Sequence, residues 1–270
     1  ELETVPYKLY PIKKEEVNNV KVNKYLGESK WECTCLNCGK SVIKTTVQAK
    51  LGGKCANCYK NSINEDYFCS IDTPDKAYYL GFLWADGYCS IKHQVLKIDL
   101  QEEDRELLEK MKADWNYSGN ITFYTAKLGE SYRSKESQVF RIAIKPIKFI
   151  EKVYRLGVTP HREKAPFPYD KIPEKYYKDF IRGYFDGNGS ISVDCGCIDI
   201  CGGTKILQDI GDILISNGFN CNYHYRRPEN KDNITLYVRG KRDERREFLD
   251  WIYKDARVYL ERKYKKYLEF

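Results

Sequence analysis

Asp86 and Asn188 close two segments that echo each other along the chain. One reads Tyr78-Tyr79-Leu80-Gly81-Phe82-Leu83-Trp84-Ala85-Asp86-Gly87, the other Ile181-Arg182-Gly183-Tyr184-Phe185-Asp186-Gly187-Asn188-Gly189. Gly81 to Gly183, Ala85 to Gly187 and Gly87 to Gly189 are each 102 residues apart by subtraction. Gly81 and Ala85 stand at i and i+4, as do Gly183 and Gly187, so each pair shares one helix face. Small residues at that spacing let two helix backbones approach closely. If the helices pack, Asp86 and Asn188 meet at the end of the interface. Two metal-binding oxygens side by side are what phosphodiester hydrolysis asks for.

A second constellation is made of cysteines. Cys35-x-x-Cys38 and Cys55-x-x-Cys58 are separated by residues 39–54. Two such knuckles can wrap one tetrahedral zinc, each giving two thiolates. Cys33 either replaces Cys35 as a ligand or packs beneath the site. The chain has 11 Cys, an odd count, and no secretory segment, which favours reduced thiols and metal over disulfides. Cys195, Cys197, Cys201 and Cys221 lie in or beside expected strands and read as small core or interface fillers.

The paired motifs resemble those of LAGLIDADG homing endonucleases in their single-chain, two-repeat form, over residues 75–270. The run Trp31-Glu32-Cys33-Thr34-Cys35-Leu36-Asn37-Cys38-Gly39-Lys40 resembles the small zinc modules fused to phage-type endonucleases. The resemblance implies an α+β fold. Two pseudo-symmetric αββαββα repeats would pack through their motif helices, their antiparallel sheets forming a DNA-binding saddle beside a small N-terminal zinc-binding domain. It also implies catalytic Mg²⁺ at the last acid of each motif helix, Asp86 and position 188, with the backbone carbonyls of Ala85 and Gly187 near the metal. Water would attack the scissile phosphate. Lys145 and Lys241, at the ends of equivalent strands, would be the assisting basic residues.

One residue departs from that pattern. Asn188 keeps an oxygen of nearly the right shape but lacks the charge, so metal binding should weaken and at least one strand cut should slow. Asp186 matches an earlier, non-catalytic motif position. An engineered inactivating substitution, a natural nickase and a DNA-binding relic all fit; the intact Gly187 and Gly189 favour the first.

The elements that would position these residues are legible from patterning. Residues 1–60 form the zinc module, with a strand at 20–26 and Lys40, Lys44, Lys50 and Lys54 suited to DNA backbone. Residues 61–74 read as a linker. Repeat 1 spans 75–157: helix 75–86, strands 88–92 and 95–101, helix 104–115, strands 121–127 and 138–145, helix 146–156. Leu96, Ile98 and Leu100 alternate with Lys97, Asp99 and Gln101, giving one apolar and one polar face. Residues 158–174 hold Pro160, Pro166, Pro168 and Pro173, a density expected to give a stiff linker over the surface. Repeat 2 spans 175–270 in the same order, ending in a basic aromatic tail from Arg257. The polar strand faces can track a groove and reach base edges. The DNA-contact candidates are Lys97, Gln101, Arg141, His224, Arg226 and Arg239.

Composition bounds the partners. The chain has 270 residues, 42% hydrophobic and 31% charged, enough for a sizeable core. No long apolar run exists, so no membrane partner is expected. The chain begins at Glu1 without Met or a signal-like stretch, and upstream residues are expected to be missing. Net charge is +7, which suits a polyanion. The expected partner is double-stranded DNA with a long, partly asymmetric site, bound by a monomer with internal pseudo-twofold symmetry. The expected location is the cytoplasm of a bacterial or phage-infected cell, or an organelle. Two other classes remain open: a non-cleaving DNA-binding protein or intron RNA maturase of the same fold, and a zinc-stabilised protein-interaction module.

Overall fold

The computed structural model describes residues 16–36, 39–53, 55–56, 63–126, 137–160, 162–227 and 230–270. Contacts divide the chain into two units, at Ser62 and Ile63.

The N-terminal unit carries more strand than the one expected at 20–26. β1 (Glu16–Val17), β2 (Val20–Gly27), β3 (Lys30–Cys35) and β4 (Ser41–Thr45) form one antiparallel sheet in that order. A short helix, α1 (Thr46–Leu51), follows, its start fixed by a reciprocal cap between Thr45 and Gln48. Val20, Cys33 and Ala49 make one small buried cluster, and Cys35 with Cys55 another. Clusters this small supply little folding energy by themselves.

The second unit holds both repeats. The first runs α2 (Pro74–Asp86), β5 (Tyr88–Ser90), β6 (Val95–Gln101), α3 (Arg105–Asp114), β7 (Thr122–Ala126), β8 (Ser137–Ile144) and α4 (Ile147–Arg155). The second runs α5 (Tyr177–Asn188), β9 (Gly189–Ser192), β10 (Cys197–Gly203), α6 (Thr204–Ser216), β11 (Asn220–Arg227), β12 (Asn230–Arg239) and α7 (Arg242–Tyr253), with a further helix, α8 (Glu261–Glu269). The sheets are ordered β5-β6-β8-β7 and β9-β10-β12-β11, the same topology twice. Register agrees too: Leu96 faces Ile144 across one sheet, and Ile198, its echo, faces Val238 across the other. The repeated αββαββα order expected from the sequence is the observed one. Ile98, Leu100, Ile142, Ile200, Leu236 and Val238 point from the sheets into one core that runs through both repeats.

Three segments behave otherwise than expected. The Pro-rich stretch does not lie over the surface: Val158, Phe167 and Ile172 are buried. Pro166 and Pro168 hold Phe167 between them; its ring packs 4.9 Å from those of Phe180 and Tyr177, and its N–H donates to Asp209 Oδ2 at 2.9 Å. Residues 63–74, read as linker, place Ile63, Phe68 and Ile71 in the same core. The tail after Arg257 folds back as α8, burying Val258, Leu260, Lys263 and Tyr267. Of the later cysteines read as core or interface fillers, only Cys221 packs against the core. Cys195 is exposed, and Cys197, Cys201 and Cys221 are half-buried at the sheet margins.

Candidate active site and nucleic-acid interface

The site is built by the crossing of α2 and α5. Thr73 caps α2 by accepting from the Lys76 N–H at 3.3 Å, and Pro74 occupies its first turn, so that helix starts where the sequence says. The two helices meet at Gly81 and Gly183. A Cβ at Gly81 would fall 2.0 Å from Phe180 O, and one at Gly183 1.9 Å from Tyr78 O. Only hydrogen fits at either point, which is why the spacing of small residues is required.

Both motif helices end at the positions singled out for chemistry. Asp86 is the last residue of α2 and Asn188 the last of α5, each followed by a glycine cap. A Cβ at Gly187 would stand 2.3 Å from Ala85 Cβ and 3.3 Å from Asp86 Oδ2, so the Asp86 carboxylate lies against the end of the partner helix. Asp86 is open to solvent although protein atoms crowd around it. That crowding raises its pKa by desolvation, while Lys263, Arg162 and Arg262 pull it down and Asp104 adds to the rise. Asn188 is half-buried and hydrogen-bonds Tyr184, whose hydroxyl burial pushes up to about 12. Beside them opens a cleft of about 440 Å³ lined in part by Trp84, Ala85, Pro160, Arg162, Tyr184 and Asn188.

The cations around this point were not found from the sequence. Arg162 donates from Nε to Trp84 O at 2.5 Å and from Nη2 to Ala85 O at 3.1 Å. Lys263 donates to Phe185 O at 2.6 Å, Asp186 O at 2.7 Å and Gly189 O at 2.6 Å. Each motif helix thus has its orphan C-terminal carbonyls capped by a cation, which also suits the negative end of the helix dipole. Arg162 lies seven residues past the end of α4, and Lys263 ten past the end of α7, inside α8. The register sets Val238 94 residues after its counterpart Ile144, which pairs Arg162 with Ala256, so repeat alignment does not lead to Lys263. Ala85 O, expected near a metal, therefore already accepts from Arg162.

Asp186 is fully buried, accepting from Tyr78 Oη at 2.8 Å, from the Leu260 N–H at 2.7 Å and from Tyr253 Oη. Burial pushes its carboxyl up, while Lys263 and these donors favour the charge. It ties α2, α7 and the tail to α5 and does not reach the cleft, in keeping with a structural position. Arg262 leaves α8 in another direction, to Asp104 at 2.9 and 3.0 Å.

Lys263 provides a direct test of this arrangement. Lys263→Met would leave three carbonyl oxygens and Asp186 without their cation, and an expected cost of about 3 kcal/mol follows from breaking a buried ionic cluster. Equilibrium urea denaturation measures it. The same group has a signed pH signature: desolvation lowers its ammonium from 10.5 to about 8. From about pH 8 upward the unfolded chain holds a proton that the folded chain has released, so stability rises with pH. Past pH 10 the slope reverses, because burial holds the Tyr78 and Tyr253 hydroxyls well above their usual value and only the unfolded chain ionises them. In Lys263→Met the rise should vanish and the later fall remain.

The candidate groove residues are placed on the outward faces of the sheets. Lys97 and Gln101 are half-buried on β6, and the Lys97 ammonium stands 5.7 Å from the Tyr88 ring. Arg141 on β8 is held by Asp99. His224 on β11 and Arg239 on β12 are exposed. Arg239 Nε donates to Asn222 Oδ1 at 2.8 Å, and its guanidinium lies 4.9 Å from the Tyr237 ring. The Arg226 side chain lies outside what the structure describes, as do Cys38 and Cys58 of the proposed zinc set. Lys145 and Lys241 are exposed just beyond β8 and β12. By the shared register, the position after Ile144 corresponds to Arg239, two residues before Lys241. Sequence reading overlooked the tyrosines and acceptors that hold these cations.

In the N-terminal unit, Cys35 and Cys55 are buried together, whereas Cys33 packs with Val20 and Ala49 and its thiol donates to Trp31 O at 3.8 Å. Burial pushes the Cys33 thiol up, as for a packed side chain. Among the described residues no three potential metal ligands of the His, Cys, Asp and Glu types gather.

Comparison with solved structures bears on the fold of the second unit. The homing endonuclease I-WcaI bound to its DNA recognition sequence is 15% identical, matching 74% of this chain and 90% of its own with a TM-score of 0.51. Mesophilic variants of the homing endonuclease I-DmoI are 15% identical over 72% of this chain and 98% of theirs, with a TM-score of 0.45. The N-terminal LAGLIDADG domain of DUF199/WhiA is 18% identical over 77% of this chain and 93% of its own, also at 0.45. The fold of the second unit is that of the LAGLIDADG homing endonucleases. No protein-family model and no curated protein matches the chain.

Proposed function

We propose that this chain is a site-specific, double-stranded DNA endonuclease of the homing type, hydrolysing phosphodiester bonds with a divalent metal and impaired by Asn188. The observation that carries this reading is the meeting of α2 and α5. Two helices cross so closely that only glycine fits, and they end with Asp86 against the partner helix that Asn188 terminates. The likeness in fold to an endonuclease bound to its DNA recognition sequence supports it. So do the net charge of +7 and two equivalent sheets bearing Lys97, Gln101, Arg141, His224 and Arg239.

The donor set at the helix ends suits magnesium, which takes one or two carboxylates and keeps several waters. Asp86 and the Asn188 amide oxygen would hold it. When bound there, the ion supplies charge stabilisation to the scissile phosphate. Arg162 and Lys263 do the positioning: by capping the carbonyls of both helix ends they hold the two termini that carry Asp86 and Asn188. Their charge also lowers the cost of bringing phosphate near Asp86. With Asn in place of a second carboxylate, the site carries one negative ligand charge fewer. In the N-terminal unit, Cys35 and Cys55 would join Cys38 and Cys58 on a structural zinc, compensating for a core too small to fold by itself.

Asn188 favours a second reading, a DNA-binding protein or RNA maturase that does not cut. Selection of bound duplexes from a randomised and genomic pool, with calcium replacing magnesium, separates the two kinds of partner. The expected result is a long, weakly symmetric enriched site. No enriched duplex, with RNA retained instead, would replace the endonuclease reading by the maturase one.

A further inference from the structure

Asp99 sits in the middle of β6 on the face opposite the buried Ile98 and Leu100, directly across from Arg141 on β8. An acid there repels a polyanion, so on a DNA-binding face it needs some other reason to be present. Arg141 Nε donates to Asp99 Oδ1 at 2.6 Å and Nη2 to Oδ2 at 2.7 Å, a fork-to-fork pair. The Tyr124 hydroxyl donates to Asp99 Oδ2 at 3.2 Å, and the guanidinium lies 4.7 Å from the Tyr124 ring centre. These contacts use the side edge of the guanidinium and fix its plane. Nη2 also donates to the Tyr124 hydroxyl at 3.4 Å; among the described residues Nη1 remains, and together with Nη2, once that long bond is exchanged, it can bond guanine O6 and N7. A free surface arginine reaches phosphate as readily as base; one already locked by a carboxylate gives up less rotamer freedom on binding.

The other repeat sharpens the point. The register positions equivalent to Asp99 and Arg141 are Cys201 and Thr235, which face each other on β10 and β12. Their sulfur and hydroxyl lie 3.5 Å apart, and neither side chain carries a charge or a fork of donors. The two sheets thus share topology but not chemistry at this step.

Building on the proposed function, we propose that Asp99 is a specificity-determining residue: it holds Arg141 to read one guanine in the half-site under the first repeat. The matching position under Cys201 and Thr235 has no guanine preference. The partner feature recognised is the major-groove edge of a G·C pair.

Duplex selection with the unaltered chain, Asp99→Ala, Asp99→Asn and Arg141→Ala tests this. The unaltered chain should enrich a guanine at one position in one half of its site. In Asp99→Ala, discrimination at that base pair should fall by about tenfold, the scale of a bidentate contact loosened. Overall duplex affinity should hold or rise, because a negative charge has left the surface. Arg141→Ala should lose preference at the same base pair, and Asp99→Asn should fall between. Urea midpoints matching the unaltered chain confirm that the variants fold, as expected for a half-exposed pair. Unchanged preference at every position in Asp99→Ala, with affinity raised, would make Asp99 a charge-balancing residue and overturn the proposal while leaving the proposed function intact. Failure of the unaltered chain to enrich any duplex would overturn both.

Discussion

Gly183→Val is expected to leave the second unit without a cooperative unfolding transition under conditions where the unaltered chain is folded. The first added carbon would stand 1.9 Å from Tyr78 O and 2.7 Å from the Phe82 N atom. Both are backbone atoms inside a helix, so neither can swing aside as a side-chain tip would. The helices must separate, and the layer around Tyr78, Phe82, Phe180 and Tyr184 must separate with them. Overpacking a core costs about 1–3 kcal/mol where side chains can yield, and more where backbone is the obstacle. A loss of about 4 kcal/mol is a large share of a domain's stability. Urea denaturation followed by tyrosine and tryptophan fluorescence reads the outcome. A sigmoidal transition at the unaltered midpoint would show that α2 and α5 do not cross at these glycines.

Asp86→Asn is expected to abolish residual cutting, by about 10²-fold or more, while leaving the selected duplex bound. Asp86 is the exposed carboxylate at the helix seam; Asp186 is sealed among Tyr78, Tyr253 and Leu260 and cannot replace it. Folding should suffer little, since Asp86 is exposed and its desolvation already opposes its charge. Asn188→Asp should act in the opposite direction by adding the second carboxylate beside the first. The gain is expected in only one strand, because each helix end approaches the duplex from its own half. Lys263 and Arg162 stand ready to offset the repulsion between the two carboxylates.

The parts of this arrangement that local patterning encodes were legible. The double motif required two close-packed helices, and Gly81 and Gly183 meet as that demands. Alternation of Leu96, Ile98 and Leu100 with Lys97, Asp99 and Gln101 identified the strand, its buried side and its outward side. What was missed depends on contacts between distant segments. The run around Phe167 looks like a linker because its prolines forbid regular structure, yet rigid extended backbone can also insert a ring between helices. The tail reads only as basic and aromatic, without an assigned element. Its helix instead carries Lys263 into three carbonyls at the end of α5, and nothing in the tail's own periodicity announces partners more than seventy residues away. In the N-terminal unit β3 and β4 are too short and too rich in Lys, Thr and Cys to stand out as strands. Pairing of β3 with β2, and of β4 with β3, decides them.

We propose the seam of α2 and α5 as a phosphodiester-cleaving site limited by the amide at position 188. Its most direct test is strand-resolved cleavage of a selected duplex in magnesium, with each strand labelled separately. The chain as it stands, Asn188→Asp and Asp86→Asn would be compared at equal duplex occupancy. The expected result is slow cutting confined to at most one strand for the unaltered chain, cutting of both strands by Asn188→Asp, and none by Asp86→Asn. Equal cutting of both strands by the unaltered chain and Asn188→Asp, or no cutting by any of them on a tightly bound duplex, would contradict it.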